Sequence, residues 1–311
     1  MSTIDPGRVL LTGGSGFIGS HVLRQLRAQG LSPRVLTHTA KVDAADQVAG
    51  DLADPDSLAG VCEGVTTLVH AASLIGGDEQ ACWAINARGT AALVAEARRA
   101  GVRRIVHLST AAVYGDGSHQ GPAEDEIEPA PVSPTSVSRL AGERAVRSAG
   151  GTVLRPMFVY GRGDRWFLPG VARLAARLSG RPEGGRARLS LISVDKLAET
   201  VCAMVRTDAV GQGGSVFHVT HPEPTSVREI LDVLAAQGLV REAAGDISHA
   251  QAVAELGEGA ARALDLVSLD HFYDSSRLWR TVQVAPGAGF RQTFARYAQW
   301  YGRELGAGVA N

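Results

Sequence analysis

The sequence predicts an α/β protein: a doubly wound parallel sheet with a smaller, mainly helical lobe toward its C-terminal end. Three observations carry that expectation. The chain opens on an apolar run that passes through a glycine turn into an amphipathic stretch, RVLLTGGSGFIGSHVLRQLRAQG. Apolar strand-like runs then alternate with helix-like stretches to about residue 160, the pattern of repeated βαβ units. Beyond that point the alternation loosens and helical spacing dominates.

In the opening element, Val9, Leu10 and Leu11 read as a strand buried on both faces. Thr12 to Gly16 break the run, and Phe17, Ile18, Val22, Leu23 and Leu26 take up helical spacing. Gly13, Gly16 and Gly19 stand three apart. Glycines so spaced let the chain turn tightly, bring backbone N–H groups against a pyrophosphate and pack a helix closely on its strand. The helix N-terminus adds free donors and a favourable dipole, so the stretch reads as a dinucleotide site with Ser15 among its contacts.

The next strand centres on Val35 and Leu36 and ends at Thr37, His38 and Thr39. No acid stands there to accept from an adenosine ribose, whereas His38, Lys41 and Arg34 could face a 2′-phosphate. The sequence therefore favours NADP(H) and leaves NAD(H) open. A short third strand is expected to end at Asp51 and Leu52, with Asp51 toward the adenine amine and Asp54 capping a helix that begins at Pro55. The fourth strand, TTLVHAASL, closes on Ala71 and Ala72, small enough for a flat cofactor to lie against the backbone, and on Ser73, a candidate substrate contact.

Glu79 to Ala100 reads as one helix with Trp83, Ile85, Leu93 and Val94 on its buried side, and Asn86 as a structural residue that bonds a neighbouring loop or solvent. Ile105, Val106 and Leu108 form the fifth strand, with Ser109, Thr110 and Tyr114 at the C-terminal edge where open parallel sheets bind ligands. Residues 115–134 read as a long exposed loop whose acids form a solvated face. A helix follows through Arg147, carrying Thr135 and Arg139 four apart on one face. The sixth strand ends at Pro156. Met157, Phe158, Tyr160, Trp166 and Phe167 then fall where a flat aromatic substrate could be lined. Residues 242–311 are expected to be mostly helical.

At 311 residues the chain can hold a dinucleotide domain over 1–165, completed by strands from about 185–220, and an interleaved substrate lobe over 166–311. A net charge of −1 gives no basic field for nucleic acid or anionic membrane. Cys62, Cys82 and Cys202 lack metal-ligand spacing, so neither a disulfide frame nor a metal site is expected, and a reducing, cytoplasmic setting fits. No leader or membrane span is expected, and the oligomeric state stays unassigned.

Taken together, TGGSGFIGSHV, GDLADPDSL, LVHAAS, INARGTAALVAEAR, VRRIVHLSTAAVYG, RLAGE, VLRPMFVYGRGD and ISVDKLAET resemble the extended short-chain dehydrogenase/reductases almost end to end. The resemblance implies a Rossmann domain that binds NAD or NADP through Gly13, Gly16, Phe17, Ile18, Asp51, Leu52, Ala71 and the turn at Pro156. It also implies a catalytic Ser or Thr at Thr110.

The next family motif, Tyr, three residues, Lys, is replaced here by Thr135 and Arg139. A phenol with a pKa of about 10 can be tuned to donate a proton at neutral pH, while an aliphatic hydroxyl is a far poorer acid. Arg139 can hold ribose hydroxyls or polarise an oxygen but cannot shuttle a proton. Epimerases and dehydratases need the phenolate as base, so the substitution counts against them.

A carbonyl reductase needs only a placed carbonyl and hydrogen-bond donors, which Ser109, Thr110 and Thr135 could supply. The chain is thus similar to atypical ketoreductases that reduce polycyclic aromatic polyketides of the angucyclinone type in antibiotic biosynthesis. The other reading is a catalytically inactive NADP-binding sensor or scaffold.

Overall fold

The computed structural model describes residues 5–40, 42–207 and 213–308. At its centre, seven parallel strands form one sheet: β1 (Val9–Thr12), β2 (Arg34–Thr37), β3 (Asp46–Ala49), β4 (Thr67–His70), β5 (Arg104–Leu108), Thr152–Arg155 and Val216–His218. Their spatial order is Val216–His218, Thr152–Arg155, β5, β4, β1, β2, β3. The chain moves outward from β1 to β3 and then returns to the other side at β4. That reversal opens a crevice beyond the carboxyl ends of β1 and β4, where such sheets bind ligands.

Strand alternation explains why the sheet is covered on both faces. Val9, Leu11, Val69, Val106, Leu108 and Leu154 share one core with Val22, Leu23 and Leu26 of α1 (Phe17–Ala28) and with Leu197 and Val201. Leu10, Leu68, Ile105 and Val153, their immediate neighbours, share the opposite core with Leu93, Val94 and Val146. Successive side chains point to opposite faces, so each strand must be apolar throughout.

The segment expected as one helix from Glu79 is a rod with a widened centre: α2 (Glu79–Cys82), a π-helical stretch at Trp83–Gly89 and α3 (Thr90–Arg99). Close backbone contacts flank the wide turns. A Cβ on Gly89 would stand 2.2 Å from the Leu52 carbonyl oxygen, and one on Gly142 would stand 2.3 Å from that of Asn86. Gly142 belongs to α4 (Pro134–Ser148), which starts with Pro134 behind a Ser133–Ser136 capping box. Within the rod Trp83 is exposed, not buried as its spacing suggests.

Three other expectations are corrected. The third strand ends at Ala49, and Asp51 and Leu52 lie beyond it. Asp54 precedes only a short 3-10 turn and its side chain caps nothing; the Ser57 hydroxyl ties the turn instead, donating to the Asp54 carbonyl at 2.7 Å. The 115–134 loop is pinned along its first half, because His119–Gln120 pairs with His271–Phe272 and Glu124 accepts from the His218 N–H at 2.8 Å.

Beyond the sheet lie α5 (Phe167–Arg177), α6 (Val194–Met204) and α7 (Val227–Ala236). A third core joins Leu168 and Val171 of α5, Ile230 and Leu234 of α7, and Phe290, Phe294 and Tyr301. The Asp164 carboxylate accepts from the backbone of Trp166, Phe167 and Leu168 and from the Tyr301 hydroxyl, fixing the start of α5 to the end of the chain. Described residues after 242 form short helices with two-residue strands at Asp246–Ile247 and His271–Phe272. Among the described residues no helix is long and apolar enough to cross a membrane.

Candidate active site

The glycine turn is built by sterics. Gly13 has φ +71°, and a Cβ there would stand 2.6 Å from the Ala72 nitrogen; at Gly19 it would stand 2.0 Å from the Gly13 oxygen. The Gly16 N–H closes the turn on that oxygen at 2.9 Å. Gly16 is also the N-cap of α1, and no side chain caps it. With Ser15 and Gly16 exposed and Phe17 and Ile18 half-buried, the first N–H groups of α1 form an open anion cradle. Ala71 and Ala72 line its side, held by β1: Ala71 donates to the Thr12 carbonyl at 3.3 Å and Ala72 to the Thr12 hydroxyl at 3.2 Å.

Beyond the carboxyl end of β2, His38 is exposed and its Nε2 lies 3.4 Å from Oδ2 of Asp51. The tertiary fold thus brings an acid from beyond β3 to the end of β2, where the sequence has none. Leu52 is buried in the core. Arg34 sits at the opposite, amino end of β2 and pairs with Asp46 at 3.2 Å, which removes it from any 2′-phosphate. Lys41 lies outside the described residues.

At the carboxyl end of β5, Ser109 is buried and its hydroxyl has no hydrogen-bond partner among the described residues. Thr110 is half-buried; its oxygen accepts from the Ala112 N–H at 3.1 Å and its proton stays available to a further acceptor. Arg139 reaches over from α4 and donates to the Leu108 carbonyl at 2.8 Å, while its buried Nε has no partner among the described residues. Burial lowers the guanidinium to about 10, so at neutral pH it remains a cation. Thr135 accepts from the Gly76 N–H at 3.2 Å. Ser109, Thr110 and Arg139 thus gather around one strand end, and Thr135 faces the loop that follows β4.

That loop is held by a residue whose function the sequence only hinted at. Asn86, 3 % exposed, accepts from the Ser73 hydroxyl and the Leu74 N–H, and donates to the Leu74 carbonyl and the Ser138 hydroxyl. Ser73 is therefore fixed to the helix rod.

Beneath Arg139, the buried His70 and His107 rings stack at 4.8 Å. His70 takes the Thr12 hydroxyl at 2.7 Å and meets Thr90 at 2.9 Å. Burial, aided by the Arg139 charge, pushes His70 down to about 3. Burial also holds His107 well below the usual imidazole range, with smaller contributions from His70 and Arg139. Both rings are neutral at physiological pH.

Of the aromatic candidates, Phe158 and Phe167 stack at 4.5 Å and are half-buried, and Trp166 is exposed. Met157 packs beside Ala111, Tyr114 and Tyr273. The buried Pro156 offers its carbonyl to the Ala111 N–H at 2.9 Å. Tyr160 lies in the third core against Phe290, and burial pushes its phenol up to about 12. Tyr114 is 3 % exposed; its hydroxyl accepts from Arg155 at 2.8 Å and meets His218 Nε2 at 2.6 Å. The Tyr114 hydroxyl is thus held between two buried partners, while Tyr160 borders a cleft together with Ser193, Asp195, Thr293 and Tyr297. Arg155 and its partner Glu143 went unmarked in the sequence, although an Arg in the apolar run VLRP is a signal of a buried polar role.

A seven-stranded doubly wound sheet with a glycine turn at the head of α1 and Arg139 at the carboxyl end of β5 is the arrangement of a nicotinamide-dinucleotide fold. Residues 9–220 match the NAD dependent epimerase/dehydratase family, and the chain belongs to it, with the extended short-chain dehydrogenase/reductase architecture. It is 32% identical over 276 residues to a 4-hydroxy-2-methyl-3-oxo-4-farnesyl-3,4-dihydroquinoline-1-oxide ketoreductase of Stigmatella aurantiaca, covering 83% of this chain and 81% of that one. It is 33% identical over 221 residues to a ceramide reductase of Caulobacter vibrioides, covering 68% and 65%. The fold matches MoeE5 in complex with UDP-glucuronic acid and NAD with a TM-score of 0.76 at 24% identity, over 96% of this chain and 100% of that one. The protein is an NAD(P)-dependent oxidoreductase of this family.

Proposed function

We propose that the protein is an NAD(P)H-dependent ketoreductase that reduces a carbonyl of a polycyclic aromatic polyketide of the angucyclinone type, without the family's Tyr and Lys. One observation carries this reading: the dinucleotide cradle is intact while Thr135 stands where the phenol would, its oxygen engaged by Gly76. The relative named for a 3-oxo group on a fused dihydroquinoline supports a ring ketone as the reacting group.

When bound, the reduced nicotinamide supplies the hydride. The N–H groups at the start of α1 would hold the pyrophosphate, and Arg139 would hold ribose hydroxyls. Ser109 and Thr110 donate hydrogen bonds to the carbonyl oxygen as charge develops. The proton comes from water or a phenol of the substrate. His38 favours NADP(H) through a 2′-phosphate. The lobe after residue 166 covers the substrate, with Phe158, Phe167 and Trp166 toward its rings. Three free buried thiols fit a reducing, cytoplasmic setting.

Incubation with NADPH and an angucyclinone ketone is expected to consume cofactor and yield the alcohol; no turnover across a panel of such ketones sinks the reading. The engagement of Thr135 equally suits an inactive NADP-binding sensor or scaffold. Tight NADP binding, a cofactor-dependent partner and no reductase activity would select that alternative.

A further inference from the structure

Arg139 and Glu143 stand four apart on α4, the spacing at which an Arg and a Glu ordinarily pair along a helix. They do not pair here. Glu143 is fully buried, and both its oxygens are taken by Arg155 of the strand Thr152–Arg155: Nε donates to Oε1 at 3.0 Å and a terminal nitrogen to Oε2. Arg155 is held in that pose from its other side. Its remaining terminal nitrogen donates to the Tyr114 hydroxyl at 2.8 Å; that hydroxyl donates to His218 Nε2 at 2.6 Å, and His218 Nδ1 donates to the Asp274 carbonyl at 3.0 Å. Each group in this chain has the partner its chemistry requires, and burial keeps His218 neutral, as the chain of donors demands.

The consequence falls on Arg139. Among the described residues it keeps one bond, to the Leu108 carbonyl, and an unpartnered buried Nε; the Glu143 carboxylate acts on it through its charge alone, opposing the effect of burial. The imidazoles stacked beneath it are neutral and offer no countercharge.

We infer that Arg155 is a positioning residue for the cofactor: by binding both oxygens of Glu143 it keeps that carboxylate from pairing directly with Arg139 and so leaves the guanidinium N–H groups available to the dinucleotide. Tyr114 and His218 buttress Arg155, so this network ties the segment around Asp274 to the charge at the cofactor site. The inference rests on the reading that Arg139 contacts the cofactor.

Titration of purified variants with NADPH and NADH, read by calorimetry alongside thermal melts, tests it. Arg155→Met releases Glu143 onto Arg139 and should weaken cofactor binding by at least about tenfold, the scale of a lost bond to a charged group. Glu143→Gln/Arg155→Met removes the competing carboxylate as well and should recover affinity to within about threefold of wild type, as should Arg155→Lys. A purely structural role predicts no such recovery, so a folded double variant that binds no better than Arg155→Met overturns the inference. A double variant that fails to fold also overturns it, because joint removal of both charges should be tolerated. Arg139→Met with unchanged cofactor affinity would instead remove Arg139 from the site and refute the underlying reading separately.

Discussion

The Thr135 hydroxyl accepts from the Gly76 N–H at 3.2 Å and lies 3.8 Å from the Cys82 sulfur, so the residue at the phenol's position is a tether for the loop after β4. General acids contribute roughly 100-fold or more to rate. Thr135→Ala is therefore expected to keep kcat within about threefold, with a modest rise in KM as the loop loosens. A drop beyond 100-fold in steady-state kinetics, with cofactor affinity intact, would make Thr135 the acid after all.

Gly16 and Gly19 separate the two demands on the turn. A Cβ on Gly19 meets backbone at 2.0 Å, whereas one on Gly16 meets it only at 3.3 Å. Gly19→Ala should lower the melting temperature and abolish cofactor binding, since overpacking against backbone costs about 1–3 kcal/mol or more. Gly16→Ala should melt near wild type yet bind cofactor more weakly, because its Cβ enters the anion cradle. Equal melting losses in the two variants would contradict this division.

Asn86 makes four hydrogen bonds at 3 % exposure. Asn86→Ala strands the Leu74 N–H and carbonyl and should cost about 2–3 kcal/mol in urea unfolding. Hydrogen exchange should rise at residues 73–76; protection unchanged there would mean that other contacts hold the loop.

His70, lowered to about 3, and His218, lowered to about 4, titrate well above these values once unfolded. Between about pH 6.5 and the folded values, the unfolded chain binds the extra protons. Stability is therefore fully present above about pH 6.5 and falls with acidification by about 1.4 kcal/mol per pH unit for each ring. Urea titrations between about pH 7 and pH 5 should show this slope, and His218→Asn should reduce it by about one proton. An unchanged slope in that variant would refute the assignment.

Exposed His38 beside Asp51 sets a further test of cofactor choice. His38→Asp should shift preference toward NADH by at least about tenfold in kcat/KM, by repelling the 2′-phosphate. No shift would place recognition of the 2′-position elsewhere.

The strands, the glycine turn and the loss of the Tyr and Lys positions were legible because each depends on neighbours in sequence. An apolar run long enough for both faces is a local property, and so is glycine spacing. Tyr114 and Tyr160 read as candidate substrate contacts from their motifs; that both are buried was not legible, because His218, Arg155 and Phe290, which pack on them, come from distant segments. The wide turn at Trp83–Gly89 was hidden for the same reason: the backbones flanking it belong to Leu52 and Gly142.

By itself, then, the sequence determined the glycine turn at the head of α1 and that no phenol stands at the family motif's Tyr position, since three glycines and two substitutions are fixed by residue identity. Only the tertiary structure decided the pairing of Arg139. Arg139 could have paired with Glu143 one turn away, and remains unpaired because Arg155, brought alongside by strand register, holds that carboxylate in the interior.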